Sequence, residues 1–471
     1  MVFIVASSFY SIFVIAGIHE INDGSSAGFS VASYPVVSNQ THSSNSFLLV
    51  EEDQDITTRL SQSGFYNRAA LFQFGNNKNM FITQDGIYNR FLLVQVAKTD
   101  NDNQNIASTQ KGDVNATLNY QSAFQITEAN QSDTANSVLD AFAALNLDKA
   151  KAVAENFVFA PELSSINIDV IENTILYLTR LQQDAIDNVR RSRSASTWFV
   201  KSGHEYLKKN EALGIVGYKQ NISAVTAGGS FAVNAQSRMG VAVVLTQSDV
   251  ETEKLLSNTD LTGYHISGFS SWSIADYYID LILNTGVFDL SSARFSTLET
   301  VESNVDGQSY SGRVQLGYLL ANERSLLSPF ISLGYSYAIT DGYQEKGNIL
   351  LTQDFGEYNS ARLLASCGVV LRDELVDLFN NKALSYTIRF EVEKAILDHR
   401  EALESRFAFE PDAIVYTPLH KEEDIYGRLS VGVDLAATRS THFSLMSMVL
   451  INKNTDIAQQ YGLYGQLSID Y

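Results

Sequence analysis

The chain closes on Tyr461-Gly-Leu-Tyr-Gly-Gln-Leu-Ser-Ile-Asp-Tyr471. Side chains of an extended strand alternate, so Leu463, Leu467, Ile469 and Tyr471 share one face and Tyr464, Gln466, Ser468 and Asp470 the other. An apolar face opposite a polar one suits a strand standing between lipid and a wet lumen. The ring of Tyr471 then falls at a membrane–water interface, where amphipathic aromatics are favoured. Similar segments recur upstream, centred on Trp198, Ile222, Met239, Tyr264, Tyr277, Ser311, Phe330, Arg362, Leu384, Tyr426 and Phe443. With the terminal strand they make twelve, each roughly ten residues long, the even number that a closed antiparallel barrel needs. Closure matters because an unpaired edge in hydrocarbon leaves backbone groups without partners. Asp280, Arg313, Arg389 and Arg428 lie inside these segments and are predicted to face the lumen. A soluble β-sandwich would explain neither the aromatic terminus nor an alternation sustained to the last residue.

Composition agrees. A chain of 471 residues is too long for one ordinary core. Its hydrophobic content is 45% but its mean hydropathy is only −0.06, and no mature stretch offers the roughly 18–20 apolar residues of a spanning helix. The 26 Phe and 23 Tyr fit aromatic girdles. A net charge of −20 argues against nucleic acid as a partner, since no basic stripe exists to displace phosphate counterions. Cys367 is the single cysteine, so an intramolecular disulfide and a thiolate metal cluster are both excluded; its apolar run predicts a packed or lipid-facing thiol. The first residues, Met1 to Gly17, resemble the hydrophobic region of a secretory signal without the usual basic start. Residues 1–25 are therefore expected to be a truncated signal-like segment, with a buried strand or an uncleaved anchor as the alternative.

Ahead of the barrel, Ile168, Ile171, Ile175, Leu178, Leu181, Ile186 and Val189 follow helical spacing between Asn167 and Arg193, with Asp169, Glu172, Asp184 and Asp187 on the polar side. Arg190 to Arg193 stand at the C-terminal end, where cations offset the helix dipole. The polar side suits a position inside the pore; a surface helix in a linker is the alternative. A second helical segment is predicted over Ser137–Phe157.

The ordered series Ser196-Thr-Trp-Phe-Val, Ala227-Gly-Gly-Ser, Ser328-Pro-Phe-Ile-Ser-Leu-Gly-Tyr-Ser, Asp341-Gly-Tyr-Gln-Glu-Lys-Gly and the aromatic end resembles the autotransporter β-domain of type V secretion. The similarity covers about residues 196–471. The resemblance implies a twelve-stranded barrel in outer-membrane lipid, a helix through its lumen, and an N-terminal passenger exposed at the Gram-negative cell surface; residues 131–195 are then the helical linker together with that lumen helix. It also makes Leu467, Ile469 and Tyr471 the terminus met by the outer-membrane barrel-assembly machinery. No Asn–Asn pair marks the helix for self-cleavage, so the passenger is expected to stay attached.

Residues 30–130 carry a repeat. Gln62-Ser-Gly64-Phe-Tyr-Asn67 runs to Gln73, and 22 residues on Gln84-Asp-Gly86-Ile-Tyr-Asn89 runs to Gln95. After an insertion, Gln110-Lys-Gly112-Asp-Val-Asn115 runs to Gln121, and a degenerate copy spans Gln40 to Glu51. Each unit reads as strand, turn, strand, with Gly and Asn in the turn because both tolerate positive φ. Stacking such units lets Gln and Asn amides hydrogen-bond along the stack. The pattern is similar to the repeats of curlin, the curli amyloid subunit; residues 62–73 match it throughout, whereas Phe91 and Thr117 replace its alanine in later copies. That resemblance implies a short β-solenoid that joins curli-like fibres or other surface matrix, or one that serves only as a display stalk.

The chain lacks a Gly-x-Ser-x-Gly elbow, a phosphate-binding loop, a zinc-protease motif and a dinucleotide fingerprint. Its seven histidines are scattered. Asp100 to Asn105 offer oxygen atoms but lack the Gly and distal Glu of a calcium loop, so a polar turn is expected, with no metal, cofactor or enzymatic activity. The expected function is self-export and display of the solenoid for adhesion, aggregation or biofilm matrix interaction. The alternative is a porin-like channel whose N-terminal region is periplasmic.

Overall fold

The computed structural model describes the strands between residues 12 and 122, the helix Leu147–Arg191 and most of residues 194–471. Residues 1–11, 123–140 and several connecting segments lie outside the described residues. Each of the twelve predicted segments is a strand of one antiparallel sheet that closes on itself. The first strand, Ser196–Lys209, pairs with both Tyr218–Asn234 and the last strand, Ala458–Asp470. At the seam, Ser196 N–H donates to Tyr471 O at 3.2 Å and Tyr471 N–H to Ser196 O at 2.9 Å. No backbone edge is left open to lipid, which is the condition for a β-structure to span a bilayer.

Alternation sorts the side chains. Met239, Val241, Val243 and Leu245 face outward and are exposed, while Ala242, Val244 and Thr246 face inward and are buried. Asp280, Arg313, Arg389 and Arg428 are all buried on the inner face, as the sequence predicts. Tyr277 and Tyr318 meet in a tilted contact near one end of the barrel, and Tyr310 stacks with Tyr337 and Tyr206 with Tyr461 near the other, forming the expected aromatic belts. Cys367 lies opposite Ile331 on the exposed outer face. Strands reach 22 residues in Tyr358–Phe379, about twice what a bilayer requires. Their surplus projects as a polar band, with Asp249, Asp260, Asp289 and Asp306 exposed beyond the apolar belt.

The two ends differ. Where the chain terminates the connections are tight, as at Asn234↔Ser237. At the opposite end, long connections build a four-stranded sheet from Tyr343–Gln344, Gln353–Phe355, Leu403–Phe407 and Glu410–Thr417. Arg294 Nη2 donates to Glu345 at 2.5 Å beneath this cap, against the burial that raises that carboxyl.

One continuous helix, Leu147–Arg191, replaces the two predicted segments. Pro161 removes one backbone donor, yet the helix runs on because packing holds both sides of it. Before the proline, Phe157 stacks on Phe407 of the cap at 5.0 Å and Asn156 Nδ2 donates to Leu351 O at 2.7 Å. After it, the helix is enclosed by the barrel wall. Part of the predicted Ser137–Phe157 segment lies outside the described residues.

The N-terminal strands form two parallel sheets. Ser44–Glu51, Tyr66–Phe74, Arg90–Val96 and Ala116–Ser122 are successive strands of one; Val36–Gln40, Thr57–Ser63, Asn79–Asp85 and Asn105–Lys111 are successive strands of the other. Leu48 pairs with Ala70 and Ala70 with Leu92, the 22-residue offset of the repeat. The stack continues upstream at shorter offsets, Ile12 with Phe29 and Phe29 with Leu48. Ile12–Ile15 and His19–Asn22, inside the segment read as signal-like, are thus strands of these sheets. Between the sheets Leu49, Leu60, Ala69, Leu71, Met80, Ile82, Phe91 and Leu93 form a closed core. Phe91, which breaks the repeat's alanine rule, sits over Ala69 in that core. The other side of the Tyr66–Phe74 sheet offers Ala70, Phe72, Leu92 and Val94, which join Ala150, Val153, Ala154 and Phe157 of the helix in a core continuous with the cap.

Candidate functional site

Two places concentrate polar groups in dry surroundings: the barrel lumen around the helix, and the turns of the N-terminal stack.

In the lumen, the helix and wall meet in tiers of alternating sign. Asp169 accepts from Lys209 Nζ at 3.1 Å and Arg400 Nη1 at 2.9 Å, and Glu172 pairs with Arg400 Nη2 at 2.8 Å. Next along the helix, Arg180 Nη2 donates to Glu393 at 2.8 Å and its other terminal nitrogen lies 3.9 Å from Glu205. Asp184 then accepts from Lys201 at 3.3 Å and Asp187 from Arg389 at 2.8 Å. Last, Arg190 pairs with Asp280, its guanidinium 3.6 Å over the Tyr278 ring. The four acids expected on the helix's polar side therefore all meet wall cations. Arg190 does more than oppose the helix dipole, because its partner comes from the barrel. An ion buried without its counter-charge is strongly unfavourable, so each tier holds its partner in place.

The wall's own charges are fixed before the helix adds to them. Glu391 is fully buried and pairs with Arg313, Arg389 and Arg428, and Ser366 Oγ donates to it at 2.5 Å. Tyr464, on the inner face of the terminal strand as predicted, donates to Glu205 at 2.8 Å and stacks on Tyr177 of the helix. Gly203 makes this possible: a Cβ there would stand 2.6 Å from both the Tyr177 hydroxyl and the Tyr464 ring. Helix and wall leave a residual cavity of about 40 Å³ beside Asp184, Asp187 and Lys201, room for a water or two. This lumen is filled. Lys201, Glu205 and Lys209, the wall's share of three tiers, went unremarked in the sequence; their spacing of four along one inner face was the available signal.

In the stack, Gln84 Nε2 donates to Gln62 Oε1 at 2.7 Å and Asn67 Nδ2 to Asn89 Oδ1 at 2.8 Å, all four residues being buried. Gln110 is in register with Gln84, and Gln73, Gln95 and Gln121 are in register with one another. Gly64 and Gly86 occupy the turns at φ +154° and +151°. A Cβ on Gly86 would stand 1.6 Å from Gly64 O, so stacked turns approach too closely for any side chain. Gly112 and Asn115 lie outside the described residues, as do Asp100 to Gln104. Leu467 and Ile469 are half-buried in the last strand, and Tyr471 is exposed at its end. Among the described residues no group of three or more His, Cys, Asp or Glu could hold a metal ion.

Residues 198–446 match the family model described as autotransporter beta-domain, and residues 54–86 that of the curlin associated repeat. The translocator domain of the autotransporter NalP from Neisseria meningitidis has the same fold. Its TM-score is 0.52 at 14% identity, covering 65% of this chain and 98% of that one. An uncharacterized protein in the trpE-trpG intergenic region of Pseudomonas putida is 30% identical over 129 residues, 26% of this chain. Esterase EstA of Pseudomonas aeruginosa is 25% identical over 141 residues, 28% of this chain. The chain spans 22% of the length of each of these two relatives. The barrel matched over more than half of the chain, the closure at Tyr471 and the helix through the lumen lead to one assignment: the chain belongs to the autotransporter β-domain family, whose barrels sit in the Gram-negative outer membrane.

Proposed function

We propose that the barrel exports the chain's own N-terminal stack and holds it at the cell surface. One observation carries this reading: the helix leaves the lumen at the end with long connections and docks the stack there through Phe157, Ala70 and Phe72. Outer-membrane barrels keep short turns on the periplasmic side and long loops outside. A porin-like channel with a periplasmic N-terminal region would carry the stack at the opposite end and would need an open lumen.

The stack is the working surface. Its Gln and Asn ladders and parallel sheets suit strand addition by another curlin-type repeat, giving adhesion, aggregation or incorporation into a biofilm matrix with curli-like fibres as partners. This action is by contact, with no catalytic step. The terminus at Leu467, Ile469 and Tyr471 is the segment on which the barrel-assembly machinery closes the seam. Protease shaving of intact cells tests the export reading: loss of residues 40–130 with the barrel kept supports it, and full protection refutes it. For the fibre partner, cells bearing the full chain should accelerate polymerisation of a curlin-repeat protein. Unchanged lag times would leave the stack as a display stalk.

A further inference from the structure

We propose that a notch in the lipid-facing wall at Gly312 seats one acyl chain of an outer-leaflet lipid. The outer face alternates ridge and notch. Along the row Trp198–Gly229–Val241–Gly268–Leu283–Gly312–Tyr335, each residue pairs with the next on the neighbouring strand. Trp198, Val241, Leu283 and Tyr335 stand out as exposed ridges, with a glycine between each two. Neighbouring strands lie about 4.8 Å apart, so each notch is a furrow one strand wide, the girth of a single straight hydrocarbon chain. At Gly229 the protein closes its own furrow, because Trp198 lays its ring 3.0 Å from where a Cβ would stand. Gly312 has no such cover. A Cβ there would meet only Leu283 Cδ2 at 3.2 Å and Ile282 O at 3.5 Å, both on the adjoining strand. Inner-face glycines differ again: Gly240, Gly307 and Gly317 are roofed by Phe269, Phe288 and Tyr278, with ring atoms at 2.2, 2.3 and 2.2 Å from the Cβ position.

Over Gly312 the furrow opens into a cavity of about 520 Å³, walled by Leu283, Val314, Leu333, Leu363, Tyr310 and Tyr335. That is within the roughly 300–1,000 Å³ of ligand pockets. Gly268, on the far side of Leu283, is also uncovered but does not line the cavity. The occupant follows from the position. The cavity is continuous with the apolar belt, which membrane hydrocarbon covers, so an acyl chain is what reaches it. Tyr310, stacked on Tyr337 with ring centroids 6.5 Å apart, closes it toward the end with long connections, and its hydroxyl donates to Gln308 at 2.9 Å. A ring so placed marks the membrane–water interface, which puts the cavity in the half of the bilayer that faces outside. A chain lying over Gly312 touches Leu283 on one flank and Tyr335 on the other, whereas a flat wall offers contacts from one side only.

The test is retention of lipid. Native mass spectrometry of the full chain, extracted from outer membranes in mild detergent, should show one lipid held per barrel after loosely bound lipid is washed away. Its mass should be that of the outer-leaflet class. Gly312→Leu fills the furrow and should lower the lipid-bound fraction about fivefold or more, because the new side chain clashes with the guest. Gly268→Leu, in the neighbouring furrow, should leave that fraction unchanged. Gly312→Ala asks Leu283 to shift by only a few tenths of an ångström and should give a partial loss. It keeps the test decisive if Gly312→Leu blocks barrel folding, which heat-modifiable gel mobility reports. A parent chain that holds no lipid overturns the seat, as does a fraction unmoved by the folded Gly312 variants. Equal losses in Gly312→Leu and Gly268→Leu also overturn it, since that is the behaviour of unspecific surrounding lipid, and an inner-leaflet lipid in the parent overturns the assigned source. A lipid-free parent that runs as a two-barrel species, lost in Gly312→Leu, would give the notch to a second copy of the chain instead.

Discussion

Gly86→Ala puts the stacked-turn geometry to its hardest test. The new methyl would lie 1.6 Å from Gly64 O and 2.8 Å from Gly64 C, both backbone atoms that cannot swing aside. The φ of +151° adds strain of about 1–3 kcal/mol for a residue with a side chain. Relief requires the turns to part, giving up Gly64 N–H to Asp85 O at 2.9 Å and Asn67 to Asn89 at 2.8 Å. Each bond contributes about 0.5–1.5 kcal/mol. The total is about 2–6 kcal/mol, a large part of what holds a small domain together. Amide hydrogen exchange on the full chain in detergent micelles should show protection in Tyr66–Phe74 and Arg90–Val96 falling by about thirtyfold or more. The barrel strands should be unaffected. Thr83→Ala, at an exposed position of the strand Asn79–Asp85 that leads into the Gly86 turn, should change little. Equal protection in Gly86→Ala and the parent chain would refute the close stacking of these turns.

Three more outcomes follow from the same contacts. Gln84→Ala removes the buried donor to Gln62 Oε1 and Arg90 O, costing about 1–3 kcal/mol, visible as faster exchange in Thr57–Ser63; exchange matching the parent chain would show the ladder is idle. Arg180→Met leaves Glu393 and Glu205 facing an uncharged helix, lowering barrel stability by about 3–5 kcal/mol in urea melts followed by gel mobility. Arg180→Lys should recover part of that loss, and a midpoint equal to the parent's for Arg180→Met would contradict the tier's role. Deleting Tyr471 takes both backbone partners from Ser196 at the seam, so the folded fraction of newly made barrel should drop; an unchanged fraction would show that the seam closes without it.

Much of this protein was legible in its residues, because periodicity is local. Alternation over Leu463 to Tyr471 needs only the strand's period of two, and the same rule found all twelve strands and the inward direction of Arg389 and Arg428. The 22-residue repeat was readable because stacking forces like residues into register, and Gln62 with Gln84 duly share a hydrogen bond. The rungs upstream of Gln40 were not readable, since offsets that shorten, as from Ile12 to Phe29, leave no fixed period. Nor was the unbroken helix. Pro161 argues for a stop by every local rule, and only the long-range contacts of Phe157 with Phe407 and Asp169 with Arg400 carry the helix through it.

Sequence alone thus determined the barrel, its strand count, the lumen-facing charges and the stacked turns, all of which follow from side-chain direction along one strand or helix. Tertiary structure alone decided that the lumen is full, that the stack docks beside the long connections, and which acid meets which base. Those depend on partners such as Arg180 and Glu393, 213 residues apart, and no local rule links residues so distant until closure of the wall brings them together.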